Sequence, residues 1–328
     1  MTLLKVVVSL GLMIYLLSRV DLAVVGAAIR SANYAYLVLA LALYVGAVAC
    51  GGLKWHILLK AQGIEVRFLS VLRYTFVGVF FNNLLPANVG GDVMRGYGLA
   101  RDTEQVAESA VSVVVDRLVG LLAFITAAFV SAVVVVFFAG QSQLMVIVLA
   151  SGLGLIALAI VFAALLSRHV RAWVERLFQL KWFARLAPLY HRLSDALAAY
   201  RFKFPQLLLA FCVSLLTLAV SNFANYAVVL ALGGGIRLIY IFLFNPLIAF
   251  VLLIPISLGG LGLSQGAYVF FYGLVGVPVE VSLPVSVVMQ IIIYITSLPG
   301  AFLWWSARRK EGRQPAEIEP QMHTEEVR

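Results

Sequence analysis

Long apolar runs with few or no charges recur along this chain, and they constrain its fold more than any other feature. A helix needs about 20 mostly apolar residues to cross a bilayer. Runs near that length occupy 3–19, 34–53, 118–138, 143–167, 204–232 and 284–306. Only 12% of the residues are charged, about half of what a soluble domain carries. The sequence therefore predicts an all-α polytopic membrane protein with about six spanning helices, a single membrane domain over 1–307, and a disordered cytoplasmic tail over 308–328.

Two further apolar stretches, 68–104 and 238–277, are interrupted by similar motifs. The first contains LLPANVGGDV at 84–93, and the second contains LIPISLGGLG at 253–262. The residues that match at an offset of 169 are Pro86 with Pro255, Gly90 with Gly259, and Gly91 with Gly260. Pro ends a helix, and Gly permits a positive φ or a close backbone approach. Each stretch is therefore predicted to be a helical hairpin that these six residues shape.

The distribution of Lys and Arg predicts how the chain is oriented. Basic residues are concentrated in 168–203 and directly after Trp305, so both segments and the C-terminus are expected on the cytoplasmic side. The loop after 34–53 is expected there too, because it carries Lys54, Lys60 and Arg67. Helix parity then makes the two hairpins re-entrant from opposite sides. This predicts an inverted repeat, with one unit at about 34–138 and the other at about 204–307.

The net charge of +9 follows this loop pattern, so no nucleic-acid partner is expected. The segment 168–203 alternates Trp, Phe and Leu with Arg and Lys, and it predicts an amphipathic helix on the cytoplasmic leaflet. The expected location is the plasma (inner) membrane, with multiple passes.

Two charged islands in the first repeat are candidate binding residues. Asp92 and Arg95 are three positions apart and lie on one face if helix resumes at Asp92. They neutralise each other, or Arg95 holds a lipid phosphate while Asp92 faces a cation. Alternatively, Asp92 only caps a helix at the surface. Asp116 and Arg117 form the second island, where one side chain meets the first pair while the other snorkels, or both lie at a helix end.

Polar uncharged residues near the two breaks complete the candidate set. Asn82, Asn83 and Asn88 bracket the first turn and satisfy backbone groups or bind head groups. Ser257 and Gln265 are candidates in the second hairpin. The four His have no metal spacing, and no phosphate-binding loop occurs, so neither metal nor cofactor is expected.

Three segments together resemble the membrane domain of the lysylphosphatidylglycerol synthase/flippase family: NNLLPANVGGDVMRGYGLAR, SVVVDRLVGLL and IPISLGGLGLSQGAYVFFYGLVGVP. Besides the residues above, Arg101 falls on the family pattern, and Asp116 stands where Glu is usual. Ser264 and Gln265 replace an Arg-Glu pair, which implies a different or less charged lipid. The resemblance covers about 1–307 and implies uncharacterised relatives without the soluble aminoacyl-transferase domain.

The expected function is a flippase or scramblase-like lipid translocase, rather than an enzyme. It would move a membrane phospholipid or another polar-headed lipid between leaflets through a cavity at the two hairpins. The alternative is an integral-membrane transferase, or a non-catalytic accessory subunit, in lipid or glycolipid biosynthesis. A homodimer and a lipid-synthesis enzyme are further partners that the sequence leaves open.

Overall fold

The structure is a computed structural model that describes residues 26–27, 29–84, 90–138, 144–167, 187–252 and 260–311. Within these ranges the chain forms helices and no strands, which confirms the all-α prediction. The helices are α1 (Tyr34–Gln62), α2 (Phe68–Leu84), α3 (Gly90–Thr103), α4 (Val106–Phe138), α5 (Met145–Leu166), α6 (Ala187–Ala198), α7 (Phe204–Ala231), α8 (Leu238–Val251), α9 (Leu263–Gly273) and α10 (Val279–Glu311).

Four helices of the described part, α1, α4, α7 and α10, are long and apolar enough to cross a membrane. The chain is therefore a polytopic membrane protein. Helices α5 and α8 are also apolar, whereas the predicted span 3–19 lies outside the described residues. Helix α10 continues to Glu311, so the predicted disordered tail is wrong for its first residues, and 312–328 is not described.

Helices α1 and α4 extend beyond the predicted apolar runs. Asn33 caps the start of α1 by accepting a hydrogen bond from Ala35 N at 3.0 Å, and Gly63 ends it with φ of 90°. The prediction that Lys54 and Lys60 lie in a loop is therefore wrong, because both are helical. Helix α4 begins at Val106, so Asp116 and Arg117 lie three turns inside a helix rather than at its end.

Both interrupted stretches contain two helices, α2 with α3 and α8 with α9. In the first, Gly90 and Gly91 are the first residues of α3, whereas in the second Gly260 lies before the start of α9. Residues 85–89 and 253–259 are outside the described part, and with them Pro86, Asn88, Pro255, Ser257 and Gly259. Of the predicted amphipathic insert 168–203, the structure describes residues from 187 onward, where α6 is found.

The helix contacts follow a two-fold pattern in which α1–α4 correspond to α7–α10. Helix α2 packs against α10, and its counterpart α8 packs against α4. The pairs α2 with α3, α3 with α4 and α1 with α4 recur as α8 with α9, α9 with α10 and α7 with α10. The centre of the pattern is the packing of α1 against its own counterpart α7.

Helices α1 and α7 run antiparallel. Asn33 N, at the start of α1, donates a hydrogen bond to Ala231 O, at the end of α7, at 2.9 Å. At the other end, Gln62 Oε1 accepts from the hydroxyl of Tyr200, just before α7, at 3.0 Å. Two equivalent spanning helices that pack antiparallel are related by an axis across their length, which is the arrangement of an inverted repeat.

Candidate functional site

The site is built on a close crossing of α2 and α3. A Cβ added to Gly91 would overlap the carbonyl oxygen of Gly78 and the side chain of Asn82. Asn82 Oδ1 also accepts a hydrogen bond from Gly91 N at 2.9 Å, which satisfies a donor at the helix start. The missing side chains of Gly78 and Gly91 therefore let the two backbones meet, and Gly91 acts through close approach rather than through a positive φ.

Five charged side chains from three helices form one alternating chain in this region. Lys54 Nζ lies 2.9 Å from Asp116 Oδ1, and Arg95 Nη2 lies 2.8 Å from Asp116 Oδ2. The same Arg95 nitrogen lies 3.0 Å from Asp92 Oδ1, and Arg117 Nε donates to Asp92 Oδ2. Each carboxylate thus stands between two cations, so neither remains an uncompensated buried charge.

Burial decreases along this series of ion-paired side chains, from Asp116 toward Arg117. The side chain of Asp116 is 6% exposed, that of Arg95 10%, and that of Arg117 34%. The guanidinium of Arg95 also lies over the ring of Trp55, 4.9 Å from its centroid, and Trp55 donates to Ser112 Oγ at 3.2 Å. Arg95 is held by ion pairs and by an aromatic face.

A cavity of about 340 Å³ opens at these charges. All five charged residues line it, together with Gly78, Asn82 and Gly91 from the crossing. The second repeat contributes Ala249 and Phe250 of α8. The cavity is therefore lined by side chains of both repeats, and its charged groups come from the first.

An apolar groove of about 990 Å³ runs between α3 and α4, next to the cavity. Asp92 and Arg117 line both spaces. The rest of the groove is mainly small or apolar, and Val93, Tyr97 and Val114 in its walls are more than half exposed. A cavity lined by charged side chains and an apolar groove thus meet at the Asp92–Arg117 ion pair.

The structure brings together most of the charged residues predicted from the sequence. Asp92, Arg95, Asp116 and Arg117 line one cavity, and both members of the second island contact the first. The prediction that one member of that island snorkels away is therefore wrong. Among the described residues, Asn82 also lines the cavity, whereas Asn83 does not, and its buried Nδ2 has no hydrogen-bond partner there.

Gln265 is placed elsewhere than the prediction implied. It does not line the charged cavity, and its Oε1 accepts a hydrogen bond from Gly262 N at 2.8 Å, within its own hairpin. Gly260 has φ of 77°, so it supplies the left-handed conformation that Gly91 does not.

Lys54 is the site residue that the sequence analysis missed. The apolar run stops before it, which suggested a loop. The signals for a longer helix were Gly63, a typical residue after a helix end, and Lys60 in the last turn before it. Gly120 of α4 lies beside the Lys54 ammonium, and a Cβ there would lie 3.4 Å from Nζ.

In the described part of the second repeat, the polar contacts form an uncharged network. Asn245 Nδ2 donates to Asn222 Oδ1 at 3.0 Å, and the hydroxyl of Tyr272 donates to Asn245 Oδ1 at 3.2 Å. Asn225 donates to the hydroxyl of Tyr268. The two-fold pattern of helices thus contains two chemically different interiors, and only the first repeat contributes charged groups to the cavity just described.

The sequence matches the family model described as "Lysylphosphatidylglycerol synthase TM region" over residues 2–300. The chain belongs to this family. The family is linked to lipid handling, and its membrane character agrees with the four spanning helices. Within the described part of the chain, no group of three His, Cys, Asp or Glu is arranged to hold a metal ion.

Two relatives are similar to this chain over most of its length. A "UPF0104 membrane protein" of Methanothermobacter thermautotrophicus is 26% identical over 282 residues, 81% of this chain and 83% of its own length. Another, from Pyrococcus horikoshii, is 23% identical over 293 residues, 83% of this chain and 87% of its own. No solved structure matches the chain significantly.

Proposed function

We propose that this family member is a lipid translocase, which moves a polar-headed lipid between the leaflets. The observation that carries the proposal is the junction of the charged cavity with the apolar groove at Asp92 and Arg117. A lipid has the same two parts, a polar head and apolar chains. The head group would occupy the cavity while the chains stay in the groove, in contact with the bilayer.

The electrostatic cost of crossing explains why such a site is useful. A charged group at the bilayer centre costs about 2.5–3.5 kcal/mol even on insertion scales. The alternating ion pairs replace the water that a head group loses, since each cation and carboxylate is already held in place. Rocking of one repeat against the other would then change the side to which the cavity opens.

The transferase alternative is less well supported by the same contacts. A general base needs a carboxylate that can take a proton from the substrate. Asp92 and Asp116 each already accept from two cations, and Asp116 is almost fully buried. The geometry therefore favours binding and movement of a head group over proton transfer.

The test is a leaflet-reversal assay in proteoliposomes. Purified protein is reconstituted with tail-labelled phosphatidylglycerol, phosphatidylethanolamine, an aminoacylated lipid or a polyprenyl phosphate, and a membrane-impermeant quencher reports the accessible label. We expect protein-dependent reversal of at least one lipid. Asp92→Asn should slow it at least about tenfold, because a hydrogen bond to a charged group contributes about 1.5–3 kcal/mol.

Arg73→Gln is the matched control. Arg73 pairs with Asp102 at 3.2 Å, is 42% exposed and does not line the charged cavity, so its loss should leave the rate unchanged. No reversal of any lipid by folded protein, with and without an imposed ion gradient, would reject translocation and favour the transferase or the accessory subunit.

A further inference from the structure

Phe250, near the end of α8, stands between the charged cavity and a second space in the protein. The second space is an apolar cleft of about 330 Å³ between α4, α5, α8 and α9. Of the described residues, Phe250 is the one that lines both spaces. On α4, the neighbours Phe124 and Ile125 line one space each, Phe124 the cavity and Ile125 the cleft. At α8, a single residue thus separates the cavity from the cleft.

The chemistry of the cleft suits hydrocarbon. Ser151 is the polar member of its lining, and the Ser151 hydroxyl already donates to Ile147 O within α5. None of the described residues that line the cleft is charged. Val146, also in the lining, is 72% exposed, so the cleft opens at the outer surface of α5, where the surrounding lipid lies. The cleft therefore fits an acyl chain rather than a polar head group.

Phe250 lies in the part of α8 that has the fewest backbone hydrogen bonds. Pro246, one turn earlier, has no amide hydrogen, so a carbonyl of the preceding turn loses its partner within the helix. The helix ends one residue after Phe250, and the carbonyls of a last turn also lack such partners. By contrast, Asn245 is held by hydrogen bonds with Asn222 and Tyr272. The anchored part of α8 thus ends just before the turn that carries Phe250.

We infer that Phe250 is a barrier residue, whose displacement joins the charged cavity to the cleft while a lipid passes. This inference rests on the proposed function and adds a moving part to it. The apolar groove between α3 and α4 is one way for acyl chains to leave the cavity, and the cleft behind Phe250 is a second. Because head group and chains are covalently joined, a lipid that enters by one way and leaves by the other has to move Phe250.

Thiol reactivity in proteoliposomes measures this barrier without any transport. Cys50 and Cys212 are replaced first, and Ser151→Cys then places a thiol in the cleft. A charged, membrane-impermeant methanethiosulfonate cannot approach this thiol through the hydrocarbon of the bilayer, so it has to come through the charged cavity. We expect Phe250→Ala to raise the reaction rate at least about tenfold, which corresponds to a barrier lower by about 1.4 kcal/mol.

Phe271→Ala is the matched control. Phe271 lines the cleft but not the charged cavity, so its loss enlarges the cleft by the same ring and leaves the barrier in place. The reaction rate should then stay close to that of the protein with Ser151→Cys alone, and equal acceleration by Phe271→Ala would overturn the inference. Phe250→Leu keeps a smaller apolar side chain and should give an intermediate rate. Thermal unfolding shows whether each variant is folded.

Thr75→Cys separates failure of the barrier from failure of the proposed function. Thr75 lines the charged cavity, so a thiol there should react whichever residue stands at position 250. If it does not react, the cavity is closed to polar molecules, and the barrier and the proposed function both fall. If it reacts, but Ser151→Cys reacts equally fast with and without Phe250→Ala, only the barrier is overturned.

The leaflet-reversal assay then tests whether the barrier lies on the path of the lipid. Phe250→Ala should reverse lipid faster than the wild-type protein, and Phe250→Trp should reverse it more slowly, because a larger ring has to be displaced. Equal rates in all three proteins would remove Phe250 from the path and overturn the inference, while translocation itself would stand.

Discussion

The loss of stability on removing a charged side chain from the site depends on how many ion-pair partners that side chain has. Asp116 is the most buried member and holds both Lys54 and Arg95, whereas Asp92 holds Arg95 and Arg117. Removing a group with two buried partners leaves two cations without compensation. Removing Lys54 or Arg117, at the ends of the series of ion pairs, leaves one carboxylate that is still paired with Arg95.

Asp116→Asn should therefore destabilise the protein by about 3–5 kcal/mol, the usual cost of breaking a buried ion pair from one side. Adding Lys54→Met should recover part of that loss, because one of the two orphaned cations is then absent. The measurement is unfolding of the single and double variants in detergent, analysed as a cycle.

Asp102→Asn is the comparison for that cycle. Asp102 pairs with Arg73, and both side chains are more than 40% exposed, so the pair contributes only about 0–1 kcal/mol. An Asp116 variant as stable as the Asp102 variant would show that the ion pairs at the cavity contribute little to folding.

Which residues form the site was partly predictable from the sequence. Asp92 and Arg95 are spaced for one helix face, and the structure joins them at 3.0 Å. Asp116 stood out because apolar residues surround it. Lys54 did not, because hydropathy alone ends the span before it, and helix capping at Gly63 decides otherwise. The contact between the two islands depends on how α3 packs on α4, which no local pattern reports.

The helices themselves pack through backbone approach at particular glycines. At the crossing of α2 and α3, a Cβ on Gly91 would overlap the Gly78 carbonyl, and on α10 a Cβ on Gly300 would overlap the carbonyl of Phe76 in α2. Helix α2 is thus held closely on two sides. Small residues at such contacts let membrane helices approach each other.

Gly91→Ala should destabilise the fold by about 1–3 kcal/mol or more, because a backbone atom blocks the new methyl group and must move. Because α3 carries Asp92 and Arg95, the shift should also slow lipid reversal. Thermal unfolding and the reversal assay check both effects.

Gly51→Ala is the control for this prediction. Gly51 lies in α1 with nothing within 4 Å of an added Cβ, and Ala is the better helix former, so no destabilisation is expected. If the Gly91→Ala protein were as stable as the Gly51→Ala protein, the close approach of α2 and α3 would not require glycine at position 91.

The arrangement of the two repeats joins these elements into one molecule. The sequence predicted two related units from only a Pro and Gly-Gly motif, helix order and loop charge. The structure adds the reciprocal packing of α2 on α10 and α8 on α4, together with the antiparallel contact of α1 with α7. The two repeats also differ in chemistry, since among the described residues the first contains ion pairs where the second contains amide and hydroxyl contacts.

The antiparallel contact predicts a specific pattern of cross-links. Asn33 and Ala231 share a backbone hydrogen bond, so cysteines at both positions should form a disulfide or react with a short bifunctional reagent. Cysteines at Gln62 and Ala196, at the opposite end of α1, should also cross-link, because Gln62 Nε2 donates to Ala196 O at 3.4 Å. Cys50 and Cys212 are free and must first be replaced.

Cysteines at Gln62 and Ala231 form the control pair, because a 29-residue helix separates the two ends of α1 by about 43 Å at 1.5 Å per residue. Mobility on gels under non-reducing conditions reports each link. Cross-linking of the control pair instead of the other two would mean that α1 and α7 run parallel. The repeats would then share one orientation, and the proposed rocking about an axis in the membrane plane would no longer account for access to the cavity from both leaflets.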